Sequence, residues 1–373
     1  KSALSGSSNN TRGLTLGGYI HPAQLNVIEY ATIASTGDGT DFGDLSAARR
    51  HIMNGSNGPG HGGIEAELPQ RASVNYLPGS GRGFIGGGMD PGATNEIQLI
   101  HIPTLGNSID FGDLTSVCGA SAGVSNGVKG IFGGGYDGSD VALNVIGNFS
   151  MANAGNAADF GDLTVIRMRL GGHSSNTRGM FFGGKGPTPG YTISDVVDYI
   201  TMATSGDASD FGNLSSARTS FSASGSTTRG MACGGAEPTK VNTVDYFTIA
   251  STGDATDFGN LTTAPTDLGA VSSSTRIVTG GGKVPGASDV IQYATIASAA
   301  DFADFGDLTD ARGTHGGMSN RIRGVFHSGH NGSDNTTTMD YITIASTGDA
   351  TDFGDCVTAT NFQGGTSDSH GGL

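Results

Sequence analysis

One signature dominates the sequence and returns seven times. Its first copy is Asp41-Phe42-Gly43-Asp44-Leu45, and related copies surround Phe111, Phe160, Phe211, Phe258, Phe305 and Phe353, at intervals of 69, 49, 51, 47, 47 and 48 residues. A period of this length is typical of repeat proteins, in which each unit buries its apolar face against its neighbours. We therefore expect one continuous array of similar units, with function located where the units differ.

Two further signatures recur in phase with the first. A basic residue followed by an apolar stretch and a glycine pair begins at Arg12, Arg82, Lys129, Arg178, Arg229 and Arg276, and a seventh copy at Arg323 has Ser328 within its pair. A tyrosine-containing element lies between each glycine pair and the phenylalanine, at Tyr30, Tyr199, Tyr246, Tyr293 and Tyr341, with Leu99 and Asn148 in the second and third copies. Three linked signatures indicate one supersecondary unit per repeat.

Each unit contains four short segments with strand character. In the copy at 218–264 they are 221–224, 229–233, 243–249 and 257–261, separated by turn residues. The chain has 65 glycines and no helical periodicity, which favours an all-β fold. We predict a single seven-bladed β-propeller with four antiparallel strands per blade. The predicted blades are 1–48, 71–117, 118–166, 167–217, 218–264, 265–311 and 312–359.

The repeat resembles the Kelch repeat over essentially the whole chain. The resemblance lies in the glycine pair, the tyrosine, the aromatic residue near the outer strand, and an arginine seven residues after that aromatic, at Arg49, Arg167, Arg218 and Arg312. It departs from the Kelch pattern because phenylalanine stands where tryptophan is usual, and this chain has no tryptophan. The resemblance implies a Kelch-like propeller.

A second resemblance rests on a short repeated sequence. Ile33-Ala34-Ser35-Thr36-Gly37-Asp38 and its second copy Ile249-Ala250-Ser251-Thr252-Gly253-Asp254 are similar to repeats in virion and tail-fibre proteins of marine and cyanobacterial bacteriophages. This similarity implies a protein of a virion or an extracellular surface. Its partners would be a host receptor glycan or protein, or other virion subunits.

Composition excludes several classes of partner. The formal charge is −15 with 19 Lys and Arg residues, so a nucleic-acid partner, which needs a basic surface, is not expected. No apolar run approaches the length of a membrane span, so no membrane insertion is expected. The three cysteines, Cys118, Cys233 and Cys356, occupy different phases of the repeat, which predicts isolated apolar residues instead of disulfides or a zinc site.

The acidic motif is the strongest candidate for metal chemistry. Its copies present three oxygen-bearing side chains around a glycine, which are typical calcium ligands. The calcium hypothesis names Asp38, Asp41, Asp44, Asp207, Asp210, Asn213, Asp254, Asp257 and Asn260. The alternative, which we favour, is that these residues form Asx turns between the third and fourth strands, so no cofactor is expected apart from this calcium hypothesis. The same acids could also pair with the basic signature, as in Arg229 with Asp257, to form a surface ring.

The loops between the second and third strands differ in every copy, which is the usual arrangement of a binding scaffold. About 22 residues at 49–70 also look inserted between the first two blades. Metal binding there by His51, His61, Glu65 and Glu67 is an alternative to a plain surface loop. The candidate ligand-binding residues are Tyr19, His21, Asp90, Tyr136, Asp137, Lys185, Tyr191, Glu237, Lys283, His330, His51 and His61.

The sequence shows no recognisable set of catalytic residues, so we predict a non-enzymatic protein without catalytic residues. The most favoured function is a phage tail-fibre or receptor-binding component that contacts a glycan or protein through its variable loops. The alternatives are an extracellular structural subunit that assembles by strand exchange, with a homo-oligomer as its product, and a propeller lectin or enzyme with an unrecognised site.

Both ends of the sequence match the pattern of the innermost strand of a blade. Residues 1–11 supply one copy and residues 360–373 supply another, so one copy is surplus. Either copy could close the ring, and the other would be free to pair elsewhere. We favour closure within the chain, because a tethered strand has a high effective concentration. A start within a repeat also suggests a segment of a longer polypeptide.

Overall fold

The computed structural model describes residues 5–8, 12–16, 19–20, 23–32, 38, 40–49, 78–89, 92–139, 141–187 and 189–373. The fold is all-β, as predicted, and the chain divides into two compact units, Lys1–Asn75 and Tyr76–Leu373. The predicted insertion at 49–70 lies outside the described residues apart from Arg49. No helix in the described part of the chain is long and apolar enough to cross a membrane.

The first unit contains one antiparallel sheet. Its strands are β1 (Ser5–Ser8), β2 (Arg12–Leu16), β3 (Tyr19–Ile20), β4 (Ala23–Thr32) and β5 (Thr40–Arg49). Strand β2 pairs with β1 and β4, and β4 also pairs with β3 and β5. The first repeat therefore has the strand order of a propeller blade.

The second unit contains six four-stranded antiparallel blades, which we name A to F. The strands of each blade are given from the axis outwards. Blade A contains β33 (Gly364–Ser367), β6 (Arg82–Gly86), β7 (Glu96–His101) and β8 (Ile109–Asp113), and blade B contains β9 (Ala122–Ser125), β10 (Lys129–Gly133), β11 (Val145–Ser150) and β12 (Ala158–Asp162).

Blade C contains β13 (Gly171–Ser174), β14 (Arg178–Lys185), β15 (Ile193–Thr201) and β16 (Ser209–Asn213), and blade D contains β17 (Ser222–Gly225), β18 (Arg229–Cys233), β21 (Thr243–Thr248) and β22 (Thr256–Asn260). Blade E contains β23 (Gly269–Ser272), β24 (Arg276–Gly280), β27 (Val290–Thr295) and β28 (Ala303–Asp307), and blade F contains β29 (Gly316–Ser319), β30 (Arg323–His327), β31 (Thr338–Thr343) and β32 (Thr351–Asp355). Short hairpins extend two loops, β19 (Ala236–Glu237) with β20 (Thr239–Lys240) and β25 (Lys283–Val284) with β26 (Gly286–Ala287).

The ring is closed by six blades, so the predicted count of seven is wrong. Strand β33 pairs with β6 in the register Gly364↔Gly86 to Ser367↔Gly83, and each innermost strand contacts the next around the ring. The C-terminal copy is thus the innermost strand of the blade predicted at 71–117. Closure within the chain is confirmed, but the ring excludes the first repeat, which folds in the unit Lys1–Asn75.

The recurring phenylalanine of the acidic motif forms the core between blades. In blade C, Phe211 is buried, and its ring makes edge-to-face contacts with Tyr199 of the same blade at 5.8 Å and with Phe247 of blade D at 5.9 Å. Complete burial of such a side chain stabilises a fold by about 1.5–3 kcal/mol. The core role predicted for the phenylalanine is confirmed at Phe111, Phe160, Phe211, Phe258, Phe305 and Phe353.

The basic residue of the second signature links neighbouring blades. In blade D, Arg229 lies 4.5 Å from the centre of the Tyr246 ring and donates from Nη1 to the carbonyl oxygen of Ile296 in blade E, at 2.6 Å. Arg229 does not pair with Asp257, so the ion pair predicted between these two residues is wrong. The same link to the next blade is made by Arg82, Arg178, Arg276 and Arg323.

A different arginine forms buried ion pairs. Arg167–Asp198, Arg218–Asp245 and Arg312–Asp340 are separated by 2.6, 2.7 and 2.8 Å, and none of the six side chains is exposed. The acid occupies the β-bulge of the third strand in each blade. Blades A, B and E have the uncharged combinations Thr360 with Gln98, Cys118 with Gly147, and Pro265 with Gln292 at these positions.

Candidate functional site: the mouth of the axial channel

Six equivalent residues surround one end of the propeller axis, each two residues before an innermost strand. They form the mouth ring: Ala120, Arg169, Ser220, Asp267, Thr314 and Phe362. Their φ angles are 55, 55, 58, 58, 58 and 53°, all in the left-handed region that non-glycine residues rarely adopt. Such a conformation persists where the surrounding structure enforces it, and it concentrates at binding and active sites.

Hydrogen bonds between backbone groups enforce this conformation. The N–H of each mouth residue donates to the carbonyl oxygen of the mouth residue in the preceding blade. The bonds are Ala120 to Phe362, Arg169 to Ala120, Ser220 to Arg169, Asp267 to Ser220, Thr314 to Asp267 and Phe362 to Thr314, at 2.7–3.2 Å. The ring is closed and uses no side chain, so it accommodates six different residue types at these positions.

The side chain of Arg169 spans the mouth. Its guanidinium lies 4.3 Å from the centre of the Phe362 ring, and its Nη1 is 3.5 Å from Oδ1 of Asp267 and 3.4 Å from Oγ of Ser220. Lys283 Nζ is 3.9 Å from the second carboxylate oxygen of Asp267. Two cations thus share one carboxylate beside an aromatic ring.

A second ring, which we name the collar, lies directly below the mouth. It consists of the next residue of each blade: Ser121, Leu170, Phe221, Leu268, His315 and Gln363. The collar lines both a pocket of about 80 Å³ under the mouth ring and a deeper pocket of about 110 Å³ along the axis. Blades C, D and E supply its apolar half, whereas blades F, A and B supply its polar half.

In the polar half of the collar, the Ser121 hydroxyl lies beside the Cys118 thiol, and the His315 ring lies beside the backbone of Gly280 and 5.9 Å from the ring of Phe326. Nε2 of Gln363 makes no hydrogen bond among the described residues, and all three side chains are at least nine-tenths buried. Burial, followed by the positive charge of Arg312, lowers the pKa of His315 well below 6.5. The imidazole is therefore neutral at neutral pH and offers one donor and one acceptor.

Serine residues line the opposite end of the channel. Each serine hydroxyl donates to the backbone of the preceding blade: Ser174 to Ser125, Ser125 to Ser367, Ser367 to Ser319, Ser319 to Ser272 and Ser272 to Gly225, at 2.5–2.8 Å. Gly225 has no hydroxyl to continue the series. His370 lies at this end, with Nε2 3.2 Å from Oγ of Ser174 and 3.1 Å from Oγ of Ser125.

The variable loops lie around the mouth. Lys283, Ala236 and His330 form β-bridges with Thr266, Thr219 and Gly313, which immediately precede mouth residues. These variable loops therefore lie on the face that carries the mouth ring. Whether these loops bind a ligand stays a prediction.

The predicted ligand-binding residues have diverse surroundings. Tyr136 is buried against Ala120 and Met168, so it is part of the core rather than an exposed contact. Lys185 lies 3.9 Å from the centre of the Tyr191 ring, and Glu237 accepts a hydrogen bond from the Ser216 hydroxyl.

The other candidates are turn residues or lie beyond description. Asp137 caps the N–H groups of Ser139 and Val141, and Nδ1 of His330 accepts from the N–H of Gly332. Tyr19 is in β3, where its side chain is not described, and His21, His51, His61 and Asp90 lie outside the described residues.

The acidic motif connects the outer strands of neighbouring blades. Oδ1 of Asp301 accepts from the backbone N–H of Asn260, the last motif residue of the preceding blade, at 2.8 Å. Equivalent bonds involve Asp254 with Asn213, Asp207 with Asp162, Asp349 with Asp307, Asn156 with Asp113 and Asn107 with Asp355. The described residues contain no group of three or more His, Cys, Asp or Glu side chains arranged to hold a metal. Calcium binding stays a prediction.

The three cysteines are free and buried, as expected of isolated apolar residues. Burial raises the pKa of the Cys233 and Cys356 thiols to about 12 and that of Cys118 to about 11. Such thiols are protonated at neutral pH and are weak nucleophiles.

The sequence analysis did not identify Arg169, Asp267, Phe362 or the collar. The signal that could have found them is the register. Counting two residues back from each innermost strand aligns the six mouth residues. These residues share neither charge nor size, although equivalent positions of a repeat would be expected to carry similar turn residues. No protein-family model matches this sequence, and a search of curated proteins finds no matching relative.

Proposed function

We propose that this protein is a non-enzymatic binding module of a virion or extracellular surface, and that it engages a host glycan or protein with the face that carries the mouth ring. The observation that carries the proposal is the contrast within that ring. Six backbones share one conformation, whereas the six side chains include an acid, a base, an aromatic ring and two hydroxyls. A constant frame that presents varied side chains is the usual design of a recognition surface.

Other observations support the same proposal. The loops that differ between repeats lie beside the mouth, where they enlarge the surface available to a partner. The net charge of −15 disfavours nucleic acid as that partner. The Kelch-like repeat, together with the short sequence that resembles phage virion repeats, favours a tail-fibre or receptor-binding component.

A structural subunit is the second candidate. The observation that favours it is the first repeat, which folds as a blade-like sheet in the unit Lys1–Asn75 while six blades close the ring of the other unit. A blade buries its apolar face against a neighbour, so this sheet is suited to contact another copy or another virion subunit.

Binding assays with the whole chain separate the two candidates. We expect the protein to bind a subset of glycans on an array, or to adsorb to susceptible bacterial cells, and to lose this binding when both Arg169 and Phe362 are replaced by alanine. The matched control is Arg321→Gln, which removes a positive charge from the hairpin turn at the opposite end of β29. Binding to neither glycans nor cells, together with discrete assemblies in light scattering, would instead support the structural subunit.

A further inference from the structure

The loop between β30 and β31 of blade F contains a histidine, an asparagine and a glycine in succession. These residues are His330, Asn331 and Gly332. Asn331 and Gly332 are exposed, and no atom of the described residues lies within 4 Å of a Cβ built on Gly332. An asparagine followed by glycine can cyclise, because the glycine nitrogen can attack the side-chain amide carbon without hindrance from a side chain of its own. The speed of that reaction depends on the groups that contact the nucleophile and the electrophile.

The nucleophile of this cyclisation contacts a base. The backbone N–H of Gly332 donates to Nδ1 of His330 at 3.0 Å, so the proton that must leave the nitrogen points toward the imidazole. A general base acts from hydrogen-bond distance, about 2.6–3.2 Å from the atom that gives up its proton. The backbone of His330 also exchanges two hydrogen bonds with Gly313, at 2.8 and 3.1 Å, which anchor this residue at the base of the loop.

The electrophile is held by two hydrogen-bond donors. Oδ1 of Asn331 accepts from the backbone N–H groups of Ser333 and Asp334, both at 3.0 Å. This oxygen gains negative charge when a nucleophile attacks the side-chain carbon, and two N–H donors at such a distance stabilise that charge. The loop therefore combines a base on the nucleophile with an oxyanion hole on the electrophile, which is the arrangement of an acyl-transfer site.

A second Asn-Gly pair of the chain has only part of this arrangement. Oδ1 of Asn126 accepts from the N–H groups of Val128 and Lys129, at 3.1 and 2.8 Å, so the two donors are present. The residue that precedes Asn126 is Ser125, which has no basic side chain, and Gly127 is buried. Asn126 is therefore an internal reference for the effect of His330.

We propose that the loop of blade F modifies itself, converting Asn331 to an aspartyl or isoaspartyl residue with His330 as the general base. The nitrogen of Gly332 forms a bond to Cγ of Asn331 and gives its proton to Nδ1 of His330. The bond between Cγ and the side-chain nitrogen breaks, and the imidazolium returns the proton to that nitrogen, which leaves as ammonia. Water then adds to either carbonyl of the resulting succinimide, giving an aspartate from one and an isoaspartate from the other.

The conversion changes the face that carries the mouth ring. It replaces a neutral amide by a carboxylate, and the isoaspartyl product adds one methylene to the backbone next to His330, which forms β-bridges with Gly313 and Asn335. The charge and the length of this loop would therefore change as the protein ages. The inference concerns the chemistry of the loop itself and does not depend on the proposed binding function.

Peptide mapping by mass spectrometry tests the inference on the folded full chain. Samples incubated at neutral pH are digested, and the peptides that contain positions 331 and 126 are followed separately. We expect position 331 to convert at least about tenfold faster than position 126, since a positioned general base contributes about a hundredfold or more in enzymes. The product at position 331 should be a mixture of aspartate and isoaspartate.

Two variants assign the roles of the residues. His330→Ala should slow conversion at position 331 by about tenfold or more and leave position 126 unchanged. Added imidazole should restore part of the rate in this variant, because the site is exposed and a free base can reach the Gly332 nitrogen. Asn331→Gln should yield neither product, because its longer side chain would have to close a less favourable six-membered ring.

The other results would overturn the inference. Equal rates at positions 331 and 126, or an unchanged rate in His330→Ala, would remove the catalytic effect of the histidine. A slower rate in His330→Ala that imidazole does not restore would show that His330 only shapes the loop. Aspartate without isoaspartate would show direct hydrolysis of the amide, without attack by Gly332.

Discussion

Arg218 and Asp245 form an ion pair with Nη2 2.7 Å from Oδ2 inside blade D, where neither side chain is exposed. Oδ2 of Asp245 also accepts from the backbone N–H and the hydroxyl of Ser215, which follows the outer strand of blade C. The pair therefore connects two blades. In blade E, Gln292 makes the same two bonds to Thr262 without an arginine, because Pro265 occupies the equivalent position.

Removal of one partner should be costly. Asp245→Asn leaves the Arg218 guanidinium buried without a counter-ion, and we expect a loss of about 3–5 kcal/mol in the free energy of unfolding. The double variant Arg218→Pro with Asp245→Gln copies blade E. Its loss in the free energy of unfolding should be smaller than the sum of the losses of the single variants Arg218→Pro and Asp245→Gln. Urea denaturation of the full double-mutant cycle measures the coupling, and additive losses would contradict a role for the pair.

The glycine of the acidic motif is required by the approach of the next blade. Gly212 has φ +148°, and a Cβ there would lie 2.4 Å from the carbonyl oxygen of Gly253. We expect Gly212→Ala to destabilise the fold by about 2 kcal/mol or more, since strain and a clash with backbone act together. Gly206→Ala is the control, because its φ of +157° is similar and nothing lies within 4 Å of its Cβ. Equal losses would show that the clash is irrelevant.

The two hypotheses for the acidic motif predict different effects at neighbouring acids. As a structural link, Asp301→Ala should cost about 1 kcal/mol, because it removes the acceptor for the Asn260 N–H, whereas Asp304→Ala on the exposed strand should cost little. As calcium ligands, both acids should matter equally. Melting temperatures with calcium and with chelator decide between them, and a calcium-dependent rise abolished by both variants would favour metal binding.

Acid should destabilise the propeller through buried histidines. Burial lowers the pKa of His173 from 6.5 to about 4 and that of His370 to about 3. Both groups are neutral in the folded protein, so their contribution is fully present above pH 6.5 and is lost as the pH falls from 6.5 toward 4 and 3. For His173 the loss approaches about 3 kcal/mol.

Variants isolate this contribution from that of the carboxylates. His173→Gln should unfold in urea with a smaller decrease in stability between pH 7 and 4 than the parent protein. Identical pH profiles for the parent and His173→Gln would contradict the assignment.

Closure of the ring depends on the C-terminal strand. Deletion of residues 362–373 removes β33 and leaves β6 without its inner partner, so we expect a monomer with a much lower melting temperature. A synthetic peptide of residues 360–373 should restore part of that loss. An unchanged melting temperature accompanied by lost assembly would show that this strand pairs with another subunit in solution.

The sequence was sufficient to predict the blade but not the ring. The burial of Phe211, its contact with Tyr199 and the four-strand order follow from periodicity, because these interactions recur in each repeat. The number of blades does not follow from periodicity. The first repeat carries the same Tyr30 and Phe42 signatures as the others, and two terminal segments had equal claim to the innermost strand. Only the pairing of β33 with β6 decides between them.

The candidate site was hidden for a physical reason. Sequence patterns reveal left-handed backbone mainly through glycine, yet Ala120, Arg169 and Thr314 adopt it because neighbouring blades hold their N–H and carbonyl groups. The loops that differ between repeats are visible in the sequence, and the structure places three of them beside the mouth ring. The collar was missed because its six residues have no common chemistry to align.

The backbone ring at the mouth also makes the protein readily evolvable. Its six hydrogen bonds hold one geometry with six different side chains, so under the proposed binding function a substitution at Ala120 or Ser220 would alter ligand preference without rebuilding the blades. A library randomised at the mouth alone would sample new specificities on an unaltered scaffold. A lineage that must follow a changing partner could do so by point substitution at single positions.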